Sequence, residues 1–329
     1  MSRQQILSLL YQSEDYLSGE EMSRRLGISR AAVWKAVDAL RQEGYEIDSQ
    51  PRRGYRLLHG PDLLQEGEIR PYLAGRHIPA QLEVFSSIDS TNNYLKREAH
   101  HLPHGAAAVA DQQTGGRGRL GRSFSSPPGM GIYCSVLLRP NLPPAQVVDL
   151  TAFVAVAVCD AIEAACGQRP QIKWTNDIIM AGYKVCGILT EMTIEGESGA
   201  LQHIVTGIGI NAAQQPSDWP EELRQIAGSV SAATGKPVRR GYLTACLLNA
   251  LDEMYTHWLN GERARYLEQY RKDCITVGRE VRLMGQAGEQ IAFAEGIDDQ
   301  FGLIVRLPDG TKRTVTTGEV SVRGLYGYV

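Results

Sequence analysis

Apolar positions in the first sixty residues recur first at helical spacing and then in alternation. Ile6, Leu9 and Leu10 predict a short amphipathic helix. Ser18-Gly19-Glu20-Glu21 reads as a capping box, a serine cap with glutamate three residues on. The helix it opens turns Met22 and Leu26 inward and breaks at Gly27. Ser29 caps the next helix, Arg30 to Glu43, with Val33, Ala36, Val37 and Leu40 on one face. Arg30, Ala31, Trp34, Lys35 and Asp38 occupy the other face. Tyr45–Asp48 and Tyr55–Leu58 alternate on either side of Pro51-Arg52-Arg53-Gly54, which predicts a hairpin. Helix, glycine turn, helix, hairpin is a winged helix-turn-helix, whose second helix enters the major groove of DNA. Ser18, Ser29, Arg30, Ala31, Trp34 and Lys35, with Arg52 and Arg53 at the wing tip, are therefore candidate DNA contacts. A helical module for protein contact is the alternative; the wing and the order of the caps favour DNA.

Beyond this unit the pattern changes. Residues 61–80 read as a linker with a short helix. Residues 81–274 mix strands and helices: Val84-Phe85 ends a strand, and Ser90-Thr91-Asn92 opens a helix. Val147–Cys166 is a long buried helix, Ile172–Glu191 gives strands joined by tight turns, Gly207–Asn211 closes another strand, and Leu243–Leu259 is helical. This order predicts an α+β domain with a mixed sheet. Residues 275–329 alternate in short segments (Val281–Met284, Ile291–Ile297, Leu303–Leu307, Arg313–Thr316, Glu319–Arg323), which predicts a small β-barrel or sandwich.

Composition narrows this little. A chain of 329 residues is long enough for two or three domains, and its net charge of −3 neither favours nor excludes nucleic acid. Neither a run of about eighteen apolar residues nor a signal peptide is legible, so no membrane span is expected. The six cysteines are scattered without a Cys-x-x-Cys pair, as in a cytosolic protein with packed, reduced thiols.

The chemistry concentrates at Gln113-Thr114-Gly115-Gly116-Arg117-Gly118-Arg119-Leu120-Gly121-Arg122. Glycines expose backbone N–H groups in a concave nest, and arginines add forks matched to phosphate or carboxylate oxygens. Gly116, Gly118 and Gly121 also satisfy the dinucleotide-binding spacing. That motif needs a helix directly after it, whereas here Ser-Phe-Ser-Ser-Pro-Pro-Gly and a strand follow, so the Rossmann reading is rejected. A flexible surface loop is the remaining alternative. Ser90, Thr91 and Asn92 are either plain helix caps or readers of a polar ligand. Taken alone, Lys184 reads as a surface lysine and Asn176-Asp177 as a turn.

Together these segments resemble the biotin protein ligases, in particular the bifunctional class that also represses the biotin operon. The carriers are Ser90-Thr91-Asn92, Gln113 with Gly116–Arg122, Lys173-Trp174-Thr175-Asn176-Asp177, Lys184 with Gly187–Glu191, and Gly207–Asn211. The resemblance covers nearly the whole chain and implies a C-terminal SH3-like domain. It implies that biotin and MgATP give biotinoyl-5′-AMP, after which a lysine of an acceptor protein takes the biotin. It places biotin on Ser90, Thr91, Asn92, Gln113, Arg117, Gly118, Arg119 and Lys184. The phosphates fall to Gly116, Arg117, Arg119, Arg122, Asn176, Lys184 and Asn211, and catalysis to Lys184, Arg119 and Asp177. Magnesium comes with ATP rather than in a protein-only metal site. The implied partners are the biotin acceptor domain of acetyl-CoA carboxylase or a similar carboxylase, operator DNA, and a second copy when loaded with biotinoyl-AMP. Phe124 stands where many relatives carry tryptophan, and the similarity around Trp219 is too poor to transfer an adenine contact. The rivals are a ligase without specific repressor activity, a lipoate or octanoate transferase, and a ligand-sensing transcription factor without enzyme activity.

Overall fold

The computed structural model describes residues 2–13, 15–285, 288–316 and 321–324. At the N-terminus α1 (Ser2–Tyr11), α2 (Gly19–Leu26) and α3 (Arg30–Gln42) precede a hairpin of β1 (Glu46–Gln50) and β2 (Gly54–His59). The local chemistry explains each boundary. Ser18 Oγ accepts the Glu21 amide and Ser29 Oγ the Ala32 amide, while Gly27 stops α2 at φ 65°. Ile6, Leu10, Met22, Val33, Val37, Leu40 and Ile47 form a small core of their own.

The segment read as a linker is docked along its length. It holds α4 (Glu66–Ile69) and buries Leu64, Ile69 and Ile78. The elements that follow are β3 (Leu82–Phe85), α5 (Thr91–Arg97), β4 (Ala107–Ala110), β5 (Gly131–Leu138), α6 (Leu150–Cys166), β6 (Gln171–Lys173), β7 (Asp177–Met180), β8 (Tyr183–Ile194), β9 (Leu201–Asn211), α7 (Val230–Thr234), α8 (Arg240–Leu259) and α9 (Arg263–Asp273). Asn249 and Asp252 of α8 accept the backbone amides of residues 74–78 and so fasten that segment. The sheet order is β3-β4-β5-β9-β8-β7-β6. Only β3 and β4 pair in parallel; the other neighbours are antiparallel, so the sheet is mixed as expected.

Residues 144–166 are long and apolar enough to cross a membrane by length and composition. They form the buried core helix expected from the sequence: Leu150, Phe153, Val154, Val158 and Ile162 are fully buried, and α6 packs on α8 and the sheet. A helix apolar all round has that second explanation. The six cysteines are free, four buried and two half-buried.

The C-terminal part is an antiparallel sheet of β10 (Glu280–Gly285), β11 (Gly288–Ile297), β12 (Leu303–Arg306), β13 (Lys312–Val315) and β14 (Ser321–Gly324), in the order β13-β12-β11-β10-β14. Among the described residues no β13–β14 pair closes it into a barrel. The start of the last predicted strand, at Glu319, lies outside the described residues. This sheet shares one continuous core with the central domain, and the Trp174 indole donates to the Phe301 carbonyl at 2.9 Å.

Candidate functional site

The glycine-arginine loop connects β4 to β5 and lies over the face of the sheet, with no helix after it. Beneath it opens a cavity of about 180 Å³. Ser90, Thr91, Asn92, Gln113, Arg117, Gly118, Arg119, Arg122, Asn176, Asp177 and Lys184, separate in sequence, all line it. Two predicted residues do not. Gly116 lies behind the lining, where a Cβ would sit 2.4 Å from the Phe124 carbonyl oxygen. Asn211 is buried below Lys184 and donates to its carbonyl at 3.3 Å, so it braces the lysine strand.

One end of the cavity is a neutral hydrogen-bonding network. Ser90 caps α5. The Gln113 carbonyl oxygen accepts from the Thr91 amide at 2.9 Å and from its hydroxyl at 3.1 Å. The Gln113 amide donates to Ser126 Oγ at 3.1 Å. Ser135, which sequence reasoning missed, lies 2.6 Å from both the Thr91 hydroxyl and the Asn92 carbonyl oxygen. Its signal was a lone serine in the otherwise poorly polar Gly131–Leu138 strand. Glu191, also missed as a site residue, accepts from Asn92 and Lys96 at 2.8 Å each. Burial raises the Glu191 carboxyl, but hydrogen bonds from Lys96 and Asn92 and the charges of Lys96 and Arg117 outweigh it and hold it below the usual range.

The other end is charged. Lys184 Nζ lies 2.5 Å from an Asp177 carboxylate oxygen. Arg119 donates to the Asn176 side chain at 2.8 Å, and the Asn176 amide donates to the Ile188 carbonyl at 2.9 Å. The floor is made of strand glycines. A Cβ on Gly207 would sit 2.2 Å from the Asn92 amide oxygen, and one on Gly209 would sit 2.6 Å from the Phe124 ring. Phe124 thus rests directly on the sheet.

A second cavity of about 180 Å³ adjoins the start of β8, lined by Tyr183, Gln214, Trp219, Arg224 and Gly228 among others. Gln214 is 1% exposed, and neither its amide nitrogen nor its oxygen has a hydrogen-bond partner. Among the described residues no cluster of three or more His, Cys, Asp and Glu could hold a metal.

Comparison with known proteins matches residues 84–211 to the Biotin/lipoate A/B protein ligase family, 2–56 to an HTH domain and 276–323 to the Biotin protein ligase C terminal domain. The Bifunctional ligase/repressor BirA of Bacillus spizizenii is 37% identical over 94% of this chain and 96% of its own. That of Escherichia coli K12 is 31% identical over 97% and 96%. The chain belongs to the biotin protein ligase family. Among solved structures, the Aquifex aeolicus biotin protein ligase in complex with biotin and ATP superposes with a TM-score of 0.65 at 28% identity. The match covers 74% of this chain and 99% of that one.

The N-terminal unit offers a separate surface. Arg30, Ala31, Trp34 and Lys35 are exposed along α3, Trp34 at 57%. Ser18 and Ser29 spend their hydroxyls as helix caps. At the wing, Arg53 pairs with Asp15 at 2.8 Å and lies over the Tyr16 ring, while Arg52 is an exposed residue at φ 64°.

Proposed function

We propose that this chain is an ATP-dependent biotin protein ligase that makes biotinoyl-5′-AMP, transfers biotin to an acceptor lysine, and represses transcription when loaded with that intermediate. The observation that carries the ligase reading is one cavity with a neutral hydrogen-bonding end and a cationic end. The ureido ring of biotin suits the Thr91, Asn92, Gln113 and Ser135 network, since buried polar readers discriminate strongly against analogues that lack the matching groups. The biotin carboxylate then points toward Lys184, Arg119 and the loop.

In the first step a carboxylate oxygen attacks the α-phosphorus and pyrophosphate leaves. Negative charge crowds at one place, and the site's task is to position and neutralise it. Arg117, Arg119 and Arg122 supply fixed charge, and Lys184 leaves Asp177 to hold the carboxylate beside the phosphate. Magnesium enters as part of the nucleotide substrate. The adenine sits in the second cavity, where Trp219 offers an aromatic face and the unpartnered Gln214 amide a hydrogen-bonding edge. In the second step the acceptor amine attacks the mixed anhydride and AMP leaves. Asp177, released from Lys184, orients that amine.

The repressor reading rests on the exposed α3 face and the wing. The acceptor is a carboxylase biotin domain, the DNA an operator, the active repressor a homodimer loaded with biotinoyl-AMP, and the working compartment the cytoplasm. Domain limits at residues 60, 80 and 274 belong to the same reading. Incubation with biotin, MgATP and an acceptor domain tests the enzyme: the acceptor gains one biotin mass by mass spectrometry. Unchanged acceptor mass, with no pyrophosphate released, refutes it.

A further inference from the structure

Arg240, the first residue of α8, is 2% exposed and is the largest fully buried side chain among the described residues. A buried guanidinium is tolerated only with its donors satisfied, and the partners here come from three separate segments. Its backbone amide donates to Asp62 Oδ1 at 2.8 Å and its Nε to Asp62 Oδ2 at 2.7 Å. One terminal nitrogen donates to the Asp62 carbonyl at 2.7 Å. The other reaches the Asp111 carboxylate and, at 3.1 Å, the Gly131 carbonyl. Asp111 also accepts the Gly129 amide at 3.1 Å.

Those partners have a clear geometric meaning. Asp111 is the first residue after β4 and Gly131 the first of β5, so they are the two ends of the ligand loop. Gln113 is two residues from Asp111. Asp62 lies three residues past β2, on the tether of the winged unit. The neighbouring Arg239 faces the other way. Its guanidinium lies 5.0 Å from the Tyr11 ring centroid, and the Glu68 carboxylate is 3.9 Å from it.

We propose that Arg240 is a positioning residue for the ligase reaction: it closes the base of the ligand loop and fastens that base to the tether of the winged unit through Asp62. The proposal rests on the ligase reading above. Arg240 touches no substrate; it sets how much order the loop must gain when ligand binds. A clamped loop loses less conformational entropy on closing over biotin and biotinoyl-AMP. Loosening the clamp therefore weakens retention while the chemistry, once the loop has closed, proceeds normally.

The test uses the full chain with Arg240→Lys and Asp62→Asn, because removing the whole side chain would take the donor from the Gly131 carbonyl and the cation from Asp62 and Asp111 together. Synthesis of biotinoyl-AMP by the parent protein first checks the underlying reading on its own. In both variants the KM for biotin and the release rate of biotinoyl-AMP rise about tenfold, while kcat for adenylate formation stays within about twofold. The double variant is no worse than Arg240→Lys alone, since Asp62→Asn alters a contact that Arg240→Lys already breaks. Parental KM and release rates, losses falling on kcat, or additive losses in the double variant overturn the proposal.

Discussion

At the scale of single residues, the proposed function separates groups in the site that read from groups that neutralise. Arg119 belongs to the second kind, and its contact with Asn176 pre-sets its direction. Arg119→Ala weakens biotinoyl-AMP binding by about 1.5–3 kcal/mol, the usual worth of a charge-assisted hydrogen bond, or roughly 10- to 150-fold. Isothermal titration or a dissociation-rate measurement reads this directly, and near-parental retention contradicts the role. Lys184 is held by Asp177 at 2.5 Å. Its proposed task exists only while carboxylate and phosphate approach each other. Lys184→Ala therefore slows adenylate formation at least about tenfold more than it slows transfer from supplied biotinoyl-AMP, because only differential stabilisation changes a rate. Equal losses in the two half-reactions, measured separately, would show that the lysine acts in both steps.

At the scale of elements, the strand glycines set the depth of the cavity. Gly207→Ala drives a methyl group to 2.2 Å from the Asn92 amide oxygen and displaces the network through Ser135 and Glu191. It raises the KM for biotin more than that for ATP; the reverse order in steady-state kinetics counts against placing the ureido ring at this end. Much of this level was legible in the sequence. The capping serines, Gly27, the hairpin turn and the strand-then-loop context of the glycines are short-range signals, each readable within a few residues. Asn211 was misplaced because a motif shows that residues are near one another and leaves open which of them face the cavity. Gln214 had no sequence signal at all: one glutamine near a strand end means nothing until burial strips it of water.

At the scale of the molecule, the winged unit rests on the ligase part through a buried carboxylate. Glu68 is 5% exposed and receives the Tyr45 hydroxyl at 2.6 Å. Burial raises its carboxyl above the ordinary value, against the lowering effect of Tyr11, Tyr45 and Arg239, while Asp62 raises it further. A raised folded-state value means that this group's contribution to stability is full below its unfolded value and is lost as pH rises through the folded value. Glu68→Gln accordingly flattens the pH dependence of the unfolding midpoint on the acid side of neutrality; an unaltered profile by scanning calorimetry excludes Glu68 as its source. Deleting residues 1–59 abolishes DNA binding in a gel-shift assay and leaves a folded ligase, because the small N-terminal core is separate from the large one. A shortened protein that still binds its operator refutes the assignment. Sedimentation with and without biotinoyl-AMP examines the proposed switch: a single winged unit offers few base contacts, so on that reading the ligand shifts the chain to a dimer that can read two half-sites, and a ligand-independent state refutes it.

The sequence by itself determined the order of the domains, the winged unit with its caps and hairpin, the mixed architecture of the middle, and the chemical character of the ligand loop. Those features follow from local rules, since caps, turns and periodicities are decided by neighbours in the chain. The tertiary structure alone decided which residues face one another. It put Ser135 beside Thr91 and Asn92 and set Asp177 against Lys184. It also brought Asp62, Asp111 and Gly131 to one guanidinium. The physical reason is the same in each case: the worth of a polar group depends on burial and on partners, and both come from other elements, from seven to more than a hundred residues away.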